Sequence, residues 1–255
     1  LKNKLNTPHE QFKVFSQNNR LLDIFSGNDS WVMGVNNGYW IHAKPNRCFI
    51  TSTSANGDMH EGYYDPKKYS SKINILKGLE IEYFENMTNE YEAFLQKLDF
   101  LVLGQHYFYI DGVYQNVYNR LTDDEILKYA QTVTQAMQKG YFKIIAHPEI
   151  FAYSRDWDEI CDQAANQIIA SAKQYNVIIE FNVNGIRNSK HKKKVWKTPD
   201  GKTNYSYPRR EFFELVKKAN MPVLISDDAH DPSNLFDQDT KEAYKIVNDI
   251  GLEII

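Results

Sequence analysis

In the stretch VLISDDAHDP, Val223 to Pro232, an unbroken apolar run passes directly into Asp227, Asp228 and His230. An apolar run without polar alternation suits a parallel strand covered on both faces. Acids and an imidazole at the mouth of such a strand are costly to bury unless something positive pairs with them. The same pattern recurs along the chain. RCFITST (47–53), INILKGLEIEY (73–83), FLVLGQH (100–106), KIIAHP (143–148) and VIIEFN (177–182) are further strand candidates, and GLEII closes the chain.

Helical stretches separate these strands. Thr122 followed by Glu125 makes a capping box, Gly140 stands at the far end, and Ile126, Ala130, Val133 and Met137 share one stripe. Comparable stripes run through WDEICDQAANQIIASAKQY (157–175), PRREFFELVKKAN (208–220) and TKEAYKIVNDIG (240–251). Strand and helix in alternation give an α/β fold with a parallel sheet. No repeat, low-complexity tract or Pro/Gly/Ser linker divides it, so residues 1–255 are expected to form a single domain. Residues 1–46 offer FKVFS and WVMGV as strands without clear periodicity, and residues 185–210 read as a long basic loop.

The composition narrows the function classes. Hydrophobic residues make up 42% of the 255 and charged residues 25%, enough for a packed core. The net charge of −3 argues against a nucleic-acid partner. Two cysteines, Cys48 and Cys161, make no disulfide framework, which fits a reducing compartment. There is no apolar run of membrane-spanning length, and the polar opening LKNKLNTPHEQ is unlike a signal peptide; a cytoplasmic protein without a membrane partner is expected. Nothing in the residues speaks to oligomeric state.

The strand ends hold the chemistry. Glu80 and Glu82 end one strand, His106 the next and His147 another; Glu180, Asn182 and Asn184 follow, then Asp228 and His230. Three of the seven histidines occupy this one kind of position. Singly, a strand-end histidine is more often a hydrogen-bonded structural residue, and an Asp before a helix is usually an N-cap. On successive parallel strands, however, the C-terminal ends converge on one face, where active sites are built. His, Asp and Glu gathered there are the ligand types of zinc, manganese or iron.

Five segments, GLEIEYF (78–84), LGQHYF (103–108), IIAHPEIFAYS (144–154), EFNVNGIR (180–187) and SDDAHDP (226–232), occur in a telling order and spacing. They resemble the polymerase-and-histidinol-phosphatase (PHP) superfamily, in its histidinol-phosphatase-like branch, over roughly residues 73–255. The resemblance implies a distorted seven-stranded (β/α) TIM-like barrel holding one to three divalent ions (Zn, Mn or Fe) and hydrolysing phosphoesters. Glu80 would bridge two metals, with His106 and His147 completing one site. Asp228 would serve a second metal and His230 a third, and both would be catalytic. The expected substrate is a small phosphate monoester such as L-histidinol phosphate.

The first part of the chain departs from that pattern. The family's His-x-His motif is not found: His9, His42 and His60 are not so spaced, and Thr53 and Ser54 stand where a Thr-Asp-His-like strand end belongs. Residues 1–60 are thus a divergent N-terminal part, with His60 the candidate replacement ligand. Arg187, just past a strand end, has the planar fork that grips phosphate, and Asn182 is its companion for substrate binding. His191 and Lys192 to Lys194 add positive potential or form a solvated basic face. Tyr107, Tyr109 and Tyr153 line a pocket or pack at its rim. The alternative function is a catalytically degenerate binding protein of the same fold with a partial metal site. A nuclease or polymerase-associated module has only the basic loop in its favour.

Overall fold

The structure is a computed structural model that describes residues 31–35, 39–44, 47–52, 74–228, 234 and 236–255, with side chains from Gly78 onward. FKVFS, His9, Thr53, Ser54, His60 and His230 lie outside the described residues, and His42 is described by its backbone alone. Trp31–Val35 (β1), Tyr39–Lys44 (β2) and Arg47–Ser52 (β3) pair antiparallel in succession. Asn74–Ile81 (β4) then joins β3 in parallel. Phe100–Leu103 (β5) continues the sheet, followed in chain order by the hairpin Tyr107–Ile110 (β6) and Val113–Asn116 (β7). Next come Phe142–Ile145 (β8) and Ile178–Asn182 (β9), then the short hairpin Val195–Lys197 (β10) and Thr203–Tyr205 (β11), and Val223–Ser226 (β12). The main sheet runs β1-β2-β3-β4-β5-β8-β9-β12. Its strands β4, β5, β8, β9 and β12 form one parallel array in a mixed α/β fold.

Helices cross between the parallel strands, as chirality and covering require. Glu125 N–H donates to Thr122 Oγ1 at 3.3 Å and Thr122 N–H to Glu125 Oε2 at 2.7 Å, so the expected capping box starts the helix Asp123–Gln138. Its stripe of Ile126, Ala130, Val133 and Met137 is buried against the sheet. Among the described residues no helix is long and apolar enough to cross a membrane.

The basic stretch 185–210 is not a loop. It holds the end of the helix Val183–His191 and the hairpin β10–β11. Asn182 caps that helix by accepting from Gly185 N–H at 3.0 Å, and Ile186 and Ser189 turn inward at helical spacing. Five cations between Arg187 and Lys194 hid the short buried stripe. The terminal GLEII adds only a bridge, Ile254 to Val223.

Side-chain parity divides the sheet. Leu79, Leu101, Leu103, Ile145, Ile179, Phe181, Val223 and Ile225 join the helices in the main core. The opposite parity gives a second cluster of Phe100, Val102, Ile144, Ala146 and Leu224, with Ile178 against it. Burial on both faces explains why these strands read as unbroken apolar runs. Glu80 is paired in register with Val102, and Glu180 with Leu224, so both carboxylates share the face of the smaller cluster near its carboxyl end.

Candidate metal centre

Glu80 lies one residue before the end of β4 and is 5% exposed. It can lean across β5 only because residue 104 has no side chain. A Cβ on Gly104 would fall 2.2 Å from Glu80 Oε1 and 2.7 Å from its Cγ, closer than real atoms approach. Gly104→Ala is therefore expected to push the carboxylate aside and weaken metal binding about 10- to 100-fold, as measured by manganese or zinc titration. Affinity equal to that of the parent would show that the carboxylate has no part in the site.

His106 and His147 follow β5 and β8 and meet Glu80 from two sides. One ligand atom from each of the three lies within 4.8 Å of the other two. Glu80 Oε1 and His147 Nε2 are 3.6 Å apart, too far for a hydrogen bond. Bonds of about 2.0–2.1 Å in a tetrahedral zinc site place neighbouring ligand atoms roughly 3.4 Å apart. Two imidazole nitrogens and one carboxylate oxygen at this spacing fit a divalent transition ion. His147 has a left-handed backbone (φ 32), as does Asp228 (φ 42), a conformation that His and Asp tolerate better than most residues.

Charge tunes the two rings differently. Burial lowers the His147 pKa to about 4, with the neighbouring His106 adding to the effect, so that ring is held neutral, the form that ligates. Burial also opposes protonation of His106, but Glu82 beside it and the charges of Glu80 and Asp228 win and raise its pKa. His106 Nδ1 sits 3.6 Å from Glu82 Oε1, while the other Glu82 oxygen accepts Tyr107 N–H at 3.1 Å. Glu82 is placed to orient the ring, the usual task of a carboxylate behind a ligating histidine.

A second polar layer adjoins the three. Glu180 Oε2 accepts His147 N–H at 2.9 Å and Asn182 Nδ2 at 3.1 Å. Asp228 Oδ2 in turn accepts from Asn182 Nδ2 at 3.1 Å and Asn184 Nδ2 at 3.2 Å. Burial, together with the Glu80 charge, lifts the Glu180 pKa to about 7, against the opposing pull of His147. Asp228 thus stands beside the three-residue cluster, tied to it through Asn182 and Glu180. Asn182 is fully buried, with its amide engaged as cap and as donor.

Arg187, read from the sequence as a phosphate grip, is engaged elsewhere. Its Nε donates to Asp237 Oδ2 at 2.9 Å and its Nη2 to Asp227 Oδ1 at 3.0 Å. Further bonds reach the carbonyls of Asp227 and Asn234. Tyr107 and Tyr109 stand exposed on β6, whereas Tyr153 packs inward beside the centre. Two site neighbours escaped the sequence reading: Tyr118 stacks on His106 at 6.0 Å between centroids, and Tyr207 meets His147 edge-on at 6.1 Å. Both come from irregular segments, where no periodicity marks a residue.

No curated protein matches the chain. Among solved structures, a histidinol phosphate phosphatase (HisK) from Lactococcus lactis, complexed with zinc, L-histidinol and phosphate, is similar in fold. The identity is 14% and the TM-score 0.52, with 74% of this chain and 71% of that one covered. The hisK protein of Listeria monocytogenes, assigned as a histidinol phosphatase, is 19% identical at a TM-score of 0.49, covering 66% of this chain and 68% of that one. A chain of archaeal ribonuclease P bound to mature tRNA is 17% identical at a TM-score of 0.46, covering 80% and 82%. The family model of the PHP domain matches residues 48–184, a span that begins on β3 and contains Glu80, His106, His147, Glu180 and Asn182. The chain belongs to the PHP domain family.

Proposed function

We propose that the protein is a metal-dependent phosphoesterase acting on a small phosphate monoester. The observation that carries this reading is the approach of Glu80, His106 and His147 to within 4.8 Å, on one face of the parallel sheet. These three would hold one divalent ion of zinc, manganese or iron. When bound, the ion supplies Lewis acidity to the phosphoryl oxygens and acidifies a water. Asp228, fixed by Asn182 and Asn184, is placed to exchange a proton at the reacting phosphate or to serve a further ion. His230, two residues on, is proposed to act with it. Asn182 contributes by aiming Asp228 rather than by touching substrate, and Arg187 by anchoring Asp227 next to it. L-Histidinol phosphate is the first substrate to try, because the Lactococcus relative was captured with L-histidinol and phosphate.

The sheet is proposed to close into a distorted seven-stranded barrel within a single domain over residues 1–255. Two observations support closure: residues of β1 approach β12, and the second apolar cluster is buried on the sheet face away from the main core.

The test is phosphate release from p-nitrophenyl phosphate and L-histidinol phosphate with manganese, zinc or iron added. Turnover that disappears with chelator and returns with metal is the expected result. The absence of a His-x-His pair in residues 1–60 favours a second reading, a binding protein with a partial metal site. Bound metal without turnover of either ester would select it.

A further inference from the structure

Five aromatic side chains form a closed circuit around the centre. His106 stacks on Tyr118, Tyr118 meets Tyr153 at 5.1 Å, Tyr153 meets Tyr207 at 5.9 Å, Tyr207 meets His147, and the two imidazoles are 4.9 Å apart. Opposite the histidines, Lys194 Nζ lies 3.7 Å above the centre of the Tyr153 ring. The turn that ends the helix Val183–His191 fixes this lysine, with Lys194 N–H donating to Ser189 O at 2.7 Å. Its ammonium donates to Tyr153 O at 3.3 Å and Ser154 Oγ at 3.1 Å. Among the described residues, no carboxylate comes within ion-pair distance of it, whereas nearby Lys190 contacts both Asp239 and Glu242. An ammonium has three donors; Tyr153 O and Ser154 Oγ take two, and apart from the Tyr153 ring face nothing described balances its charge, which leaves it able to attract an anionic ligand.

We propose that this circuit and Lys194 form the leaving-group subsite. It would select phosphate monoesters whose leaving group is planar and carries an anionic substituent such as a carboxylate. The inference rests on the phosphoesterase reading and narrows it. With phosphate at the histidine side, the leaving group extends along Tyr118 and Tyr153, the two rings of the circuit that are not buried, while Tyr207 is buried behind them. A carboxylate at its far end meets Lys194 in a charge-assisted hydrogen bond.

Two substrate pairs, used with the metal-loaded full chain, separate this subsite from the hydrolase reading. Turnover compares 4-carboxyphenyl phosphate with phenyl phosphate. Binding by calorimetry compares the non-hydrolysable 4-(phosphonomethyl)benzoate with benzylphosphonate. The carboxylated member of each pair is expected to be preferred about tenfold, a preference lost in Lys194→Met and largely kept in Lys194→Arg. An equal preference in the parent and Lys194→Met, or no binding of either phosphonate, overturns the subsite. A Lys194-dependent binding preference without turnover of any ester upholds the subsite and removes the hydrolase reading. Turnover without preference does the reverse.

Discussion

His147→Asn protein, purified beside the parent, is expected to bind manganese or zinc at least about 100-fold more weakly. Even an outer partner of a ligand is worth about 10–100-fold, and this substitution removes a ligand itself. His147 is the ring least able to be replaced. It is 4% exposed, its Nε2 faces Glu80 Oε1 at 3.6 Å, and its low pKa removes proton competition for the ion. Asparagine is the informative replacement because it tolerates the left-handed backbone that alanine would strain. Elemental analysis and calorimetry give the metal content and affinity, and a circular-dichroism melt of the chelated proteins shows that the fold survives. Equal metal content in parent, His147→Asn and His106→Ala would remove the centre from consideration.

The second large effect is on stability. Arg187→Met is expected to cost about 3–5 kcal/mol, because it leaves the fully buried Asp227 without its cation and removes a partner from Asp237. For a chain of this size that corresponds to a fall in melting temperature of roughly 10 °C. Pairing it with Asp227→Asn should recover much of the loss, since the stranded charge goes too. Urea denaturation of the two single variants and the double measures the coupling. A well-folded Arg187→Met protein, destabilised by less than about 1 kcal/mol yet with a sharply raised KM, would return Arg187 to the role of phosphate grip.

The sequence carried the strand ends well because burial on both faces makes each parallel strand a solid apolar run. The polar residues that close such a run are then conspicuous, as at His106, His147 and Asp228. The same logic failed over 185–210, where the short buried stripe of Val183, Ile186 and Ser189 runs straight into the basic stretch Lys190 to Lys194, most of which lies past the helix. Nothing local marks Gly104, because its importance comes from a carboxylate on the neighbouring strand. Tyr118 and Tyr207 reach the centre from segments that only the assembled chain brings together. Arg187 had the right chemistry for phosphate, yet the acids that claim it lie 40 and 50 positions downstream, and no local pattern could foretell that.

The alternation of side chains along β4, β5, β8, β9 and β12 has a consequence for how such a protein can change over time. The two faces answer to different demands: one, in touch with the helices, maintains thermodynamic integrity, and the other adds a smaller apolar cluster and, toward the carboxyl end, carries Glu80 and Glu180 to the chemistry. A lineage can therefore redraw its reactive surface one alternate position at a time while the scaffold beneath is left intact. It can also exchange one ligand on that face for another residue without forfeiting the ability to fold.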